Sequence, residues 1–151
     1  MILNTSYSSK ENRKLIKSLT GKAFGFFQSL KMKGIGSKRM IIEEVSPNFK
    51  KYINTVADLN YASIELRPKG ILLYINKGLS NYTWVIPYYQ LYLYNTNGIS
   101  IHAQGNFVKF KNNQMSKENK TFFKKLTELK IEYDYNYPQI DSVFFDKNMM
   151  E

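Results

Sequence analysis

Between Asn60 and Lys111 the chain alternates apolar and polar residues in short runs, and most runs end in a turn signal. Ala62, Ile64 and Leu66 interleave with Tyr61, Ser63 and Glu65. A period of two puts one set on each face of a strand, so only an extended chain buries one set together. Arg67-Pro68-Lys69-Gly70 follows, with Pro and Gly in the second and fourth places of a tight turn. Ile71–Ile75 predicts the next strand, the loop Gly78–Asn81 the next reversal, and Tyr82–Ile86 a third strand. Pro87 interrupts it because proline cannot donate to a ladder, and Tyr88–Tyr94 continues as a fourth. Asn97-Gly98 is a strong hairpin signal. Ile99–Ala103, the turn Gly105-Asn106 and Phe107–Lys111 complete about six strands in an antiparallel meander.

Helical periods flank this stretch. Leu15, Leu19, Ala23, Phe26, Phe27 and Leu30 predict one amphipathic helix over residues 10–33, with Gly34 and Gly36 ending it. Gly21 and Gly25 inside it each cost about 1 kcal/mol relative to Ala, and mark either close packing or a break. Met40–Val45 is a short apolar-to-acidic segment. Ser46-Pro47 is a good helix start for a second short helix carrying Phe49, Tyr52, Ile53 and Val56, with a strand over Tyr52–Val56 as the alternative. Ser116 is the expected cap of a closing helix whose apolar stripe is Phe122, Phe123, Leu126 and Leu129. Residues 131–151 show no clear period. Tyr133, Tyr135 and Tyr137 before Pro138 are expected in an extended segment, and the last residues are expected to fray.

The expected fold is therefore α+β: an antiparallel meander sheet or partly open barrel, closed by a C-terminal helix and preceded by N-terminal helices. Residues 1–58 form a basic helical segment, 59–130 the sheet with its closing helix, and 131–151 an acidic tail. A chain of 151 residues fits one domain with a real core.

Charge is unevenly spread. Residues 1–58 carry net +7, 59–112 net +4, 113–130 net +3 and 131–151 net −4, which together make the overall +10. Such a surplus points toward nucleic acid or anionic membrane. Of the 22 basic residues, however, only Arg13, Arg39 and Arg67 are Arg, the side chain suited to bidentate phosphate and guanine contacts. No cysteine is present, which excludes disulfides, thiolate catalysis and cysteine-ligated metal. No apolar run reaches signal-peptide or membrane-span length, so a cytoplasmic protein is expected, with peripheral membrane attachment as an addition.

Catalytic constellations do not stand out. His102 is the single histidine and lies with Ser100 opposite the apolar face of its strand, without a second His or a Cys for a triad or metal site. Glu43 and Glu44 are adjacent and so do not share a face, while Glu65, Glu118 and Glu128 are isolated in basic surroundings. Asp134, Asp141 and Asp146 follow no recognised metal-loop spacing. Gly34-Ile35-Gly36-Ser37-Lys38 lacks the further glycines, preceding strand and following helix of a phosphate cradle, and reads as a helix-terminating linker. No catalysis, metal or cofactor is expected.

A meander closed by one amphipathic C-terminal helix resembles the pleckstrin-homology-like superfold, especially its short bacterial versions. The resemblance covers about residues 60–130: Ile71–Ile75 (ILLYI), Tyr82–Leu91 (YTWVIPYYQL) with a bend at Ile86-Pro87-Tyr88, the Gly98–Phe110 hairpin, and the helix beginning at Ser116. Well-known members bind phosphoinositides through a long basic loop between the first two strands. Here Arg67-Pro68-Lys69-Gly70 stands in that place and is too short for such a pocket. The superfold also hosts peptide-binding and scaffold roles.

An aromatic content of 15% and the absence of a catalytic constellation point to a non-enzymatic binding or scaffold module whose partner is another protein or a second copy of the chain. The alternatives are an anionic membrane surface and, less favoured, nucleic acid. Two surfaces serve these roles. Along residues 10–33, Phe24, Phe26 and Phe27 meet a membrane interface with Lys14, Lys17 and Lys22 toward headgroups, or else the apolar stripe packs on the sheet or a partner subunit. On the sheet, Tyr82, Trp84, Tyr88, Tyr92 and Tyr94 with Lys109 and Lys111 stack bases, or else pack beneath the helices. Arg67 and Lys69 complete the candidate binding set.

Overall fold

In the computed structural model, which describes residues 1–56 and 59–137, the alternating stretch does form an antiparallel sheet, but the sheet is larger than the meander. Two of its strands come from before residue 58. In chain order the elements are β1 (Ile2–Asn4), α1 (Lys10–Thr20), α2 (Phe26–Lys31), β2 (Met40–Val45), a 3₁₀ turn (Pro47–Tyr52), β3 (Tyr61–Arg67), β4 (Gly70–Lys77), β5 (Ser80–Pro87), a second 3₁₀ turn (Tyr88–Gln90), β6 (Tyr92–Asn95), β7 (Ile99–Ala103), β8 (Asn106–Phe110), α3 (Gln114–Lys117) and α4 (Lys120–Asn136).

The strand order is β1-β5-β4-β3-β2-β8-β7-β6, every pair antiparallel. Among the described residues the sheet does not close on itself, and β1 and β6 are its edges. β2 makes the corner. Met40 and Ile41 pair with β3, whereas Ile42, Glu44 and Val45 pair with β8, and the register shifts between Ile42 and Glu44. An irregularity of this kind bends a strand and raises its twist, so one strand serves two differently directed half-sheets. Residues 35–37 carry the pairing with β3 further back: Leu66 N donates to Ile35 O at 2.7 Å and Ser37 N to Ile64 O at 2.8 Å. The Gly34–Lys38 stretch is thus a segment that pairs with β3 as well as the linker after a helix. With β2 in the sheet, Arg67–Gly70 joins the second and third strands of the meander. The first connection is residues 46–60, so the shortness of Arg67–Gly70 says nothing about a loop there.

The inward face carries Met40, Ile64, Leu66, Ile71, Leu73, Ile75, Trp84, Ile86, Val108 and Phe110. Phe49 from the first 3₁₀ turn plugs one end, its ring 5.0 Å from Trp84. The other side is closed by α4 through Phe122, Phe123 and Leu126. The closing helix differs from the sequence-based expectation at three points. Asn113, rather than Ser116, caps the first turn: Ser116 N donates to its Oδ1 at 3.2 Å, and Asn113 N donates to Ser116 Oγ at 3.1 Å. The helix also breaks at Asn119, whose side chain both accepts from Lys38 N at 2.9 Å and donates to Lys38 O at 3.1 Å. At its far end α4 continues through Asn136, so Tyr133 and Tyr135 are helical rather than extended. Tyr133 extends the Leu126–Leu129 stripe and packs 5.7 Å from the Tyr88 ring. The expected fraying concerned residues that lie outside those described.

The helix expected over residues 10–33 is two helices. Gly21 adopts φ 86°, a conformation that L side chains rarely adopt, and the chain turns there. α1 lies on the outer face of β4 and β5. Thr20 is buried there and Ile16 and Leu19 are half-buried, whereas Leu15, Phe26, Phe27 and Leu30 are exposed. The predicted stripe is therefore not the packed one. The strand expected over Tyr88–Tyr94 likewise begins only at Tyr92, after a turn set by Pro87.

Candidate binding groove

Among the described residues β6 ends the sheet, so half of its N–H and C=O groups have no described strand beside them. Across from this edge runs α4, and between them lies an open groove of about 1270 Å³. Its floor is apolar, made by Leu91, Leu93, Ile99 and Phe123. Its rim carries Lys117, Lys120, Lys124 and Lys130 against two carboxylates, Glu128 and Asp134. Lys130 is engaged, donating to Asp134 Oδ1 at 2.9 Å. None of Lys117, Lys120 and Lys124 makes an ion pair among the described residues.

The parts are positioned by local chemistry. Asn97 and Gly98, both at positive φ, turn β6 back onto β7. On the outward face Tyr92 and Tyr94 are each 53% exposed. Tyr94 meets the His102 ring edge-on at 4.8 Å, and His102 stacks on Phe107 at 5.4 Å, giving an aromatic ladder across β6, β7 and β8. Ser100 Oγ lies 2.9 Å from His102 Nε2. This pair has the spacing of a nucleophile and base, but no carboxylate pairs with the ring among the described residues, and His102 does not line the groove. Partial burial lowers the His102 pKa and favours the neutral ring.

The sequence-derived candidates scatter. Trp84 and Tyr88 are 0% exposed and belong to the core, so neither is available to a surface partner. Trp84 Nε1 donates to Gln104 Oε1 at 3.0 Å and Tyr88 Oη to Arg67 O at 2.8 Å. Tyr82 packs against Tyr52, ring centroids 5.0 Å apart. Arg67 is held by Glu65 at 2.6 Å, and Lys69 sits in the β3–β4 turn with its ammonium 6.0 Å from the Tyr137 ring. Lys109 pairs with Glu43 at 3.8 Å. The base-stacking platform therefore does not assemble: only Tyr92 and Tyr94 of its five rings are exposed beside each other. Lys14, Lys17, Lys22, Phe26 and Phe27 are all exposed at the N-terminal helices, while Phe24 turns in to pack on the core.

Sequence reasoning placed the lysines of α4 toward solvent and did not find the groove. The signal needed was that β6 is the last strand and that α4 runs beside it. Among the described residues, no cluster of three His, Asp or Glu side chains is arranged to hold a metal, and no helix is long and apolar enough to cross a membrane. No protein-family profile, curated protein or solved structure matches this chain.

Proposed function

We propose that this protein is a non-enzymatic binding module that takes an extended segment of a partner protein along β6. An added strand would satisfy the open edge through main-chain hydrogen bonds, while alternate side chains reach the floor of the groove. The occupant is a segment carrying apolar residues toward Leu93, Ile99 and Phe123 and acidic residues toward Lys117, Lys120 and Lys124. The carrying observation is the lysine-rimmed, apolar-floored groove beside a sheet edge that is unpaired among the described residues. The strand order, one four-strand and one three-strand meander joined at β2 and covered by a C-terminal helix, supports a pleckstrin-homology-like architecture for the module.

Selection from a displayed library of random linear peptides tests the reading. Enriched peptides should combine apolar and acidic residues, and their affinity should fall about tenfold when Lys117, Lys120 and Lys124 are all replaced by Gln, since each charge near a groove contributes modestly. Absence of enrichment, or binding indifferent to those three lysines, overturns it.

A further inference from the structure

α2 is a six-residue helix whose three large apolar side chains point away from the protein. Phe26 is 73% exposed, Phe27 83% and Leu30 62%. The helix is held at both sides. Phe24 before it and Met32 and Ile35 after it pack on the core. Lys125 of α4 donates to Met32 O and Gly34 O, each at 3.0 Å, and so binds the carbonyls that follow the helix. Such clamping fixes α2 with its apolar face outward. Phe26 and Phe27 touch only edge-on, ring centroids 5.6 Å apart.

The surroundings say what such a face fits. From Asn12 to Ile42 the chain has eight basic residues and no Asp or Glu. Lys22, Lys31 and Lys33 immediately flank the apolar tip and are all exposed. None of the three forms an ion pair among the described residues. Exposed aromatic and aliphatic side chains ringed by lysine are the pattern that rests in a lipid interface, rings at the acyl boundary and ammonium groups at the headgroups. Lysines near an anionic leaflet are attracted to it, and the effect is screened within a Debye length.

We infer that the α2 tip is an anionic-membrane docking site, separate from the β6–α4 groove. The inference stands independently of the peptide-binding reading. Lys125 reaches α2 whereas Thr121, Lys124 and Glu128 line the groove, so α4 stands between the two surfaces and both are available together.

Co-sedimentation of the full chain with vesicles decides it. Phosphatidylcholine vesicles with about 30 mol% phosphatidylserine should pellet the protein at low salt, with at least about tenfold weaker binding to phosphatidylcholine alone and loss at high salt. Phe26→Ser with Phe27→Ser, and separately Lys22→Gln, Lys31→Gln and Lys33→Gln together, should each weaken binding about tenfold with the thermal midpoint unchanged, since all five positions are exposed. The groove variant Lys117→Gln, Lys120→Gln, Lys124→Gln should stay within about threefold of the wild type. No binding by the wild type, or equal binding by the phenylalanine variant, overturns the inference. So does a wild-type dimer that the phenylalanine variant abolishes, because the tip then serves a second copy of the chain.

Discussion

Lys130 Nζ donates a 2.6 Å hydrogen bond to the main-chain carbonyl of Tyr88, tying α4 to the turn from which β6 departs. The same ammonium bonds Asp134 at 2.9 Å and stands 5.8 Å from the Tyr92 ring centroid. One side chain thereby sets the spacing of the groove's two walls. Lys130→Met keeps most of the volume and removes the charged donor, so it should cost about 2 kcal/mol in urea unfolding. Lys124→Met, on the same rim and free of ion pairs among the described residues, should cost under about 0.5 kcal/mol.

Gln104 is a junction rather than an ordinary turn residue. It sits at φ 56° between β7 and β8, and its Oε1 accepts from Trp84 Nε1 and from the Met1 ammonium. Its Nε2 donates to Val85 O at 3.1 Å and Gln90 Oε1 at 2.8 Å. Gln104→Ala strands the indole N–H of a fully buried ring and should cost about 2 kcal/mol. Trp84 is the only tryptophan, so its emission reports the change directly and should shift on substitution.

Gly70 is required by proximity, its φ being ordinary. A Cβ there would run into Ile86 O and would meet Thr20 Cγ2 at 2.7 Å and Pro87 Cα at 2.9 Å. Two of these obstacles are backbone and cannot yield cheaply. Gly70→Ala should therefore lose about 2–3 kcal/mol by thermal or chemical denaturation. Gly78→Ala, where nothing among the described residues lies within 4 Å but φ is 59°, should lose only about 1 kcal/mol.

Stability should fall on both sides of neutral pH for identifiable reasons. Burial lowers the His102 pKa below its ordinary 6.5. As pH falls below that value the unfolded chain takes up a proton more readily than the folded one, so stability declines from about pH 6.5 downward. Burial also raises the phenol of Tyr88, and that of Tyr74 to about 12, with Glu65 adding to the Tyr74 shift. Above pH 10 the unfolded chain ionises first, so stability declines again as pH rises. Thermal midpoints across pH should show both limbs. His102→Gln should flatten the upper part of the acid limb, and Tyr74→Phe should reduce the alkaline one.

The strands were legible because alternation and turn chemistry are local. Ala62-Ile64-Leu66, Pro68-Lys69-Gly70 and Asn97-Gly98 state their roles within a few residues, and each is found where its pattern put it. What escaped was set by distant partners. Ile2–Asn4 is a strand only because it lies along Trp84, Thr83 and Tyr82. Met40–Val45 gives no clean alternation because it changes neighbours halfway, from β3 to β8. Leu15, Phe26, Phe27 and Leu30 keep helical spacing across a glycine that breaks the helix, so their periodicity joins faces that never align. Tyr133 reads as strand beside Tyr135 and Tyr137, but the packing of α4 on Tyr88 overrides that preference. The groove escaped for the same reason: which strand ends a sheet depends on the full strand order, and no local pattern encodes it.

Amide hydrogen exchange across Tyr92–Asn95, read by two-dimensional nuclear magnetic resonance with and without a saturating peptide from the library, tests the groove most directly. The β6 amides facing away from β7 should slow by about tenfold or more when peptide binds, together with shifts at Thr121 and Lys124, as an added strand requires. Binding that leaves those amides at their free rates, or that perturbs a different surface while β6 stays open, would contradict it.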